Sequence, residues 1–339
     1  MATEKKQSFL GGAAVLAFGI VAVKIIGAVF KIPLRNILGE GGSADFSNAY
    51  NIYATLLTIS TAGLPVALSK LVSESYALGR TRQAHRTFRV SLSVFLVLGV
   101  ASFALMWWGS DLLAGFLNNP RAAYGIRALA PAVVCVGCLS AFRGYAQGRQ
   151  YMMPTAVSQI IEALCKLVLG LALSMWLLHI GQPDYIAAAG AIAGVTAGTI
   201  LSLVYMAIDY LRHRPALRRG ESCASDRAIL RRLLALAIPI TLSSSMVSLI
   251  TLIDTKLVQG RLQDALGYTL DQMRAAYGNY SACMDLYNLP SSLMVALTAS
   301  VIPAVSAAVT QRDRRQSARI VRSSLRVTAL LAFPMGLGL

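Results

Sequence analysis

Charge is scarce in this chain: Asp, Glu, Lys and Arg make up 14% of its 339 residues, against 56% hydrophobic residues. A single soluble core cannot bury so much apolar surface, so a water-soluble globular domain is excluded and the expected solvent is lipid. Acids are scarcer than bases, 15 against 31, for a formal charge of +16. On a soluble chain that excess would point to nucleic acid; here its placement decides what it faces. There are three histidines and five cysteines. Cys135 and Cys138 form a CxxC, but both lie in an apolar stretch with no His or further Cys spaced to complete a metal site. They read as small buried hydrophobes, as do the scattered Cys165, Cys223 and Cys283. No Gly-rich phosphate loop, nucleophile elbow or HExxH occurs. The sequence therefore offers no motif for an enzyme and none for a bound cofactor.

What fills the chain is a relay of apolar runs, each long enough to cross a bilayer at about 20 residues per helix. Eight complete spans are expected: Phe9 to Ile32, Phe46 to Leu71, Phe88 to Phe116, Tyr124 to Gly144, Pro154 to Ile180, Tyr185 to Leu211, Leu233 to Val258 and Ala282 to Val309. A ninth begins near Leu325. Every second connection is rich in Lys and Arg: one set of alternating segments carries 21 of them, the other set 6. By the positive-inside rule this predicts a multi-pass membrane protein with a cytoplasmic amino terminus, its basic excess facing anionic lipid rather than nucleic acid. Trp107 and Trp108 fall where the third span meets the outer interface, as an aromatic belt would place them.

The connections 212–232 inside and 259–280 outside are too short for a soluble domain. The first run exceeds a signal-peptide core and has no convincing cleavage site, so it should remain as a span. The last apolar stretch stops after about 15 of the roughly 20 residues a span needs, which reads as a truncated protein.

Charge inside the membrane carries the chemistry, because a Lys or acid at a helix centre costs about 2.5 to 3.5 kcal/mol and so tends to face a bundle interior or a wet cavity. Lys24 lies a little outward of the middle of span one, and Lys31 follows seven residues later on the same helical face. Lys166 falls near the midpoint of span five with Glu162 one turn before it, in the favourable acid-first order. That spacing predicts a Glu162–Lys166 pair, serving either helix packing or a substrate or gating surface. Lys70 and Glu74 sit at the inner end of span two, within snorkelling reach of the interface. Asp254 lies toward the outer end of span seven and Asp285 near the outer start of span eight. Lys24, Lys31 and Lys166 could converge on a cationic cavity suited to an anionic substrate, phosphate above all.

Pro65, Pro131, Pro239, Pro290 and Pro303 fall inside predicted spans and invite kinks. Gly190, Gly194 and Gly198 form a GxxxGxxxG face for close helix packing. Leu64-Pro-Val-Ala-Leu-Ser69 is faintly repeated as Ile302-Pro-Ala-Val-Ser306, six spans later and in the same orientation. Such a repeat implies parallel six-helix lobes related by an axis along the membrane normal.

Several stretches resemble a known family: Lys24-Ile-Ile-Gly-Ala-Val-Phe-Lys-Ile-Pro-Leu34, Gly63-Leu-Pro-Val-Ala-Leu-Ser-Lys70 with Glu74, Arg143-Gly-Tyr-Ala-Gln-Gly148 and Met153-Pro-Thr-Ala-Val-Ser-Gln-Ile-Ile-Glu162. They are similar to the signatures of the stage V sporulation protein B and polysaccharide-biosynthesis flippases, in the multidrug/oligosaccharidyl-lipid/polysaccharide exporter superfamily. Asn288-Leu-Pro-Ser-Ser292 and Ile302-Pro-Ala-Val-Ser306 extend the likeness along nearly the whole chain, while Ala146 departs from the aromatic common at its position.

The resemblance implies an all-α polytopic fold of two six-helix lobes around a central cavity, the second lobe incomplete here. It divides the chain into a first lobe at 1–211, a basic linker at 212–232 and the start of a second lobe at 233–339. It implies a flippase of the bacterial cytoplasmic membrane, working as a monomer by alternating access, that moves undecaprenyl-linked cell-wall or polysaccharide precursors. Lys24 matches a basic position that lines the diphosphate-binding cavity; Lys31, Lys166 and Glu162, read from the intramembrane charges, are the further candidate members. Asp254, in Leu252-Ile-Asp-Thr-Lys256, matches an acid involved in sodium coupling; Na+ or H+ would drive transport and no other cofactor is implied. A multidrug or toxin antiporter of the same superfamily should favour acids in its cavity, since its substrates are often cations. A non-transporting scaffold for wall synthesis or sporulation would have little use for deep charge.

Overall fold

The computed structural model describes residues 9–213, 223–285, 287–288 and 314–338. Among them the chain is all-α. Helix α1 (Phe9–Thr61) carries the first two spans and turns at Gly39, whose φ of 67° and ψ of −170° are open to glycine and costly for other residues. The expected loop between spans one and two is thus a sharp kink with helix on both sides. After a break at Ala62 and Gly63, α2 (Leu64–Ala77) completes span two. Pro65 falls in the first turn of α2, where its missing N–H costs nothing, rather than in a helix interior as expected. Pro131 and Pro239 do lie inside helices, α5 and α8, and Pro33 lies inside α1.

Span three is shorter than its apolar run. α3 (Thr81–Trp108) stops at Gly109, and Ser110–Phe116 forms a separate short helix, α4. The run continues to Phe116, but the chain turns once it reaches the interface, and Trp108 at the corner is 77% exposed. A 3-10 turn at Pro120–Ala122 leads into α5 (Ala123–Gly148), followed by α6 (Met153–His179) and α7 (Asp184–Arg212). α8 (Asp226–Asp264) has 39 residues. At 1.5 Å per residue it is about 58 Å long, so it extends past the hydrocarbon at its ends. Most of the expected outer loop 259–280 is therefore helical: after a turn at 265–269 the chain re-enters helix as α9, residues 270–285. The last helix, α10 (Arg314–Gly338), begins well before Leu325 and takes in the basic stretch that precedes the ninth span. The body of span eight, with Pro290, Pro303 and the repeat at 302–306, lies outside the described residues.

Five of the described helices are long and apolar enough to cross a membrane: Thr81–Trp108, Pro120–Gly148, Met153–His179, Asp184–Arg212 and Asp226–Asp264. Val97, Val168, Val204, Met246 and Ile250 are each about half or more exposed on these helices, a spread of outward apolar side chains suited to lipid and not to water. The core sits at two levels. Phe30, Leu34, Ile52, Ile126, Leu129 and Ile192 join α1, α5 and α7, while Leu68, Phe88, Phe95, Tyr145 and Leu233 join α2, α3, α5 and α8.

The α6–α7 seam follows the glycine face expected from the sequence. A Cβ on Gly194 would lie 2.3 Å from the backbone nitrogen of Gly170, and one on Gly198 would lie 2.9 Å from the carbonyl oxygen of Glu162. Backbone against backbone leaves no side chain to move aside. This close approach fixes α6, and with it Glu162 and Lys166.

Candidate functional site

The bundle has two ends. One carries the Arg-rich connections near Gly79, Arg149 and Ser225; the other, poorer in Arg, carries the Gly39 kink, Asn119 and the α8–α9 turn. The expected site residues lie between these ends and toward the second.

α1 and α6 run side by side in the same direction. A Cβ on Gly19 would touch Ala156, and Gly170 packs against the Phe30 ring. Lys24, about midway between Gly19 and Phe30, is therefore at about the depth of Glu162. Lys24 is exposed and makes no ion pair among the described residues. Lys31, about 10 Å further along the same face, pairs with Asp285 of α9. That face of α1 is thus turned toward α9, and Lys24 shares it.

The Glu162–Lys166 pair expected from i,i+4 spacing is not formed. Glu162 accepts a 2.9 Å hydrogen bond from Nη2 of Arg143 on α5, while Nε of Arg143 donates to Ser158 Oγ at 2.9 Å. The planar guanidinium fork reaches both acceptors one turn apart on α6 from two separate nitrogens, a geometry an ammonium lacks. Lys166 instead turns into aromatic rings, its Nζ 4.9 Å from the centroids of Phe30 and Tyr50 and 6.0 Å from that of Phe46. Ring quadrupoles stabilise the cation where water is scarce. Glu162 and Asp285 still act on Lys166 electrostatically without touching it. Asp254 accepts a 2.8 Å hydrogen bond from the Tyr280 hydroxyl and is exposed.

Sequence reading missed a further polar group, at the Arg-poor end. Arg274 of α9, which falls in the expected outer connection 259–280, is 3% exposed. It donates through Nε and Nη2 to both carboxylate oxygens of Asp45, through Nη2 to Asp184 at 2.7 Å and through Nη1 to Asp271 at 3.0 Å. Asn119 donates to Asp45 at 2.8 Å. Burial alone would lower the pKa of Arg274; the hydrogen bonds and charges of Asp45 and Asp184 outweigh it and hold the group above the ordinary arginine value. Next to this group Asn48 and Gln259 exchange amide hydrogen bonds of 3.2 and 2.6 Å, both side chains fully buried. No single-residue signal marks Arg274. The nearest clue is the coincidence of Gly41 and Gly42 with Asp45, since a Cβ on Gly41 would sit 2.8 Å from an Asp184 oxygen and 3.2 Å from the guanidinium carbon.

The comparison that decides the family covers most of the chain: the polysaccharide biosynthesis protein family matches residues 9–309. The chain belongs to that family. Relatives in Bacillus subtilis (strain 168) include the uncharacterized membrane protein YabM, 27% identical over 99% of this chain and 62% of its own length. Stage V sporulation protein B is 28% identical over 91% of this chain and 60% of its own length. Lipid II flippase MurJ is 26% identical over 98% of this chain and 64% of its own length. The chain thus spans about six-tenths of the length of the curated relatives it matches. A solved MATE structure, in complex with MaD3S, aligns with a TM-score of 0.66 at 15% identity, covering 100% of this chain and 74% of that one. At that identity the likeness concerns the fold, and it agrees with a multi-pass helical membrane protein of the polysaccharide biosynthesis family.

Proposed function

We propose that the protein is a flippase of the bacterial cytoplasmic membrane that moves an undecaprenyl-linked anionic sugar precursor by alternating access. In this reading α1 to α7 form the first lobe, and α8 and α9 begin the second. The observation that carries it is Lys24, an exposed lysine at the depth of Glu162 and on the face of α1 turned toward the second lobe. A cation held there without an ion pair among the described residues attracts a diphosphate as a point charge. Lys31, already engaged by Asp285, supplies charge when that exposed pair separates, while Lys166 in its aromatic surround and Glu162 on Arg143 shape the wall. Asp254, held by Tyr280, is the candidate coupling-ion residue. The similarity to a lipid II flippase supports this substrate class, and the cytoplasmic amino terminus follows from the Arg bias of alternate connections.

The antiporter reading makes the opposite forecast about charge. Binding to the purified protein in lipid nanodiscs separates the two, with undecaprenyl diphosphate and a lipophilic aromatic cation as probes. Undecaprenyl diphosphate should bind saturably, more weakly as salt rises, and about ten- to hundredfold more weakly after Lys24→Ala, the worth of one charge-assisted contact. Saturable cation binding that survives Lys24→Ala, with none of the diphosphate, would establish the antiporter instead.

A further inference from the structure

The seam between the first bundle and the α8–α9 pair differs at its two ends. At the Arg-rich end it is apolar inside, Leu233 and Ala237 of α8 packing with Leu64, Leu68 and Phe88, and its ion pairs lie at the surface: Arg232 with Glu74 at 3.0 Å, side chains 68% and 39% exposed, and Arg86 with Asp226 at 2.6 Å, 39% and 65% exposed. Exposed pairs of this kind contribute little. At the Arg-poor end buried polar groups lie beside an apolar cluster of Ala44, Met273 and Tyr277. Arg274 joins α9 to Asp45 on α1 and Asp184 on α7, Asn48 and Gln259 pair beside it, and the Ser281 hydroxyl donates to Ser47 Oγ at 2.8 Å.

α6 and α7 meet mainly through glycines and apolar side chains, with a buried hydroxyl bond from Ser202 to the Ser158 carbonyl. A polar seam that opens hands its hydrogen bonds to water, whereas an apolar one exposes surface that water disfavours. Polar closure suits an interface that must part and re-form. Arg274 suits the role because, among the described residues, it is the one side chain that reaches two separate helices of the bundle from α9 while remaining buried.

We propose that Arg274, with Asp45 and Asp184, is a latch that closes the Arg-poor end of the cleft between the lobes, and that its release opens the cleft to that side of the membrane. The proposal rests on the two-lobe, alternating-access reading, but its test needs no substrate. In a background with the five native cysteines replaced, Ser47→Cys reports exposure of the seam to a membrane-impermeant thiol reagent in cells. The pair Ser47→Cys with Ser281→Cys reports closure by disulfide formation, since the two hydroxyl oxygens are in contact in the closed seam. Arg274→Ala and Asp45→Ala should each raise Ser47→Cys labelling several-fold and lower the cross-linked fraction. Arg232→Ala, which breaks a surface pair at the opposite end, should change neither. Should Arg274→Ala fail to reach the membrane, Arg274→Lys carries the test: it keeps the charge, loses the planar fork, and should give a smaller gain in labelling. Unchanged labelling and cross-linking in the inserted Arg274 variant would overturn the latch and leave a fixed structural cluster. If labelling rises as expected while the protein moves no lipid-linked sugar, the latch stands and the substrate reading falls.

Discussion

Lys24→Glu is expected to abolish complementation of a flippase-deficient strain while leaving the protein in the membrane at normal abundance. The side chain is exposed and makes no ion pair among the described residues, so exchanging it disturbs little packing and orphans no partner. What changes is the sign of charge presented to a diphosphate, from attraction to repulsion, in surroundings where a fixed charge is screened far less than in water. Lys24→Ala should also lose function, through loss of attraction alone, and Lys24→Arg should keep part of it because the charge remains on a longer, planar head. Immunoblots of membrane fractions beside growth curves separate these outcomes from misfolding. Normal growth with Lys24→Glu would eliminate the cationic cavity.

Arg143→Ala should instead act on abundance. Its guanidinium side chain is 15% exposed and its partner Glu162 27%, so removing it leaves a carboxylate in a largely dry setting with Lys166 acting from a distance. Breaking such a pair costs about 3 kcal/mol or somewhat more, enough to deplete a marginally stable membrane protein. The double change Arg143→Ala with Glu162→Ala removes both charges and should restore part of the abundance. Lys166→Ala, which forfeits ring contacts rather than an ion pair, should be milder. Equal depletion by Lys166→Ala and Arg143→Ala, with rescue of the former by Glu162→Ala, would restore the intrahelical pairing expected from spacing alone.

The spans were legible because lipid demands about 20 apolar residues per crossing, and that demand is written locally. Helices α5, α6 and α7 fall close to their expected limits for this reason. Boundaries failed where the membrane stops deciding: the run to Phe116 is broken by Gly109-Ser110-Asp111, where α3 ends, and α8 continues beyond Val258 because Gln259, Gln263 and Arg261 favour helix outside the hydrocarbon as well. The Gly190, Gly194 and Gly198 face was readable because its meaning is steric and local. Side-chain partners were not. The spacing of Glu162 and Lys166 permits a pair, but Arg143, nineteen residues before Glu162 in sequence, offers a two-pronged donor that the helix neighbour lacks. Arg274 carried no signal for the same reason: its partners Asp45 and Asp184 stand 229 and 90 residues away, and the packing of α9 across the Arg-poor end brings them together.

The central claim is that this protein carries a lipid-linked diphosphate sugar across the bilayer. Reconstituted into vesicles loaded with a fluorescently labelled undecaprenyl diphosphate sugar, with an impermeant quencher added outside, the protein should move label between leaflets at a rate that protein-free vesicles do not show and that Lys24→Glu abolishes. Label that stays in its starting leaflet with protein correctly inserted, or that moves equally fast with Lys24→Glu, would contradict the account.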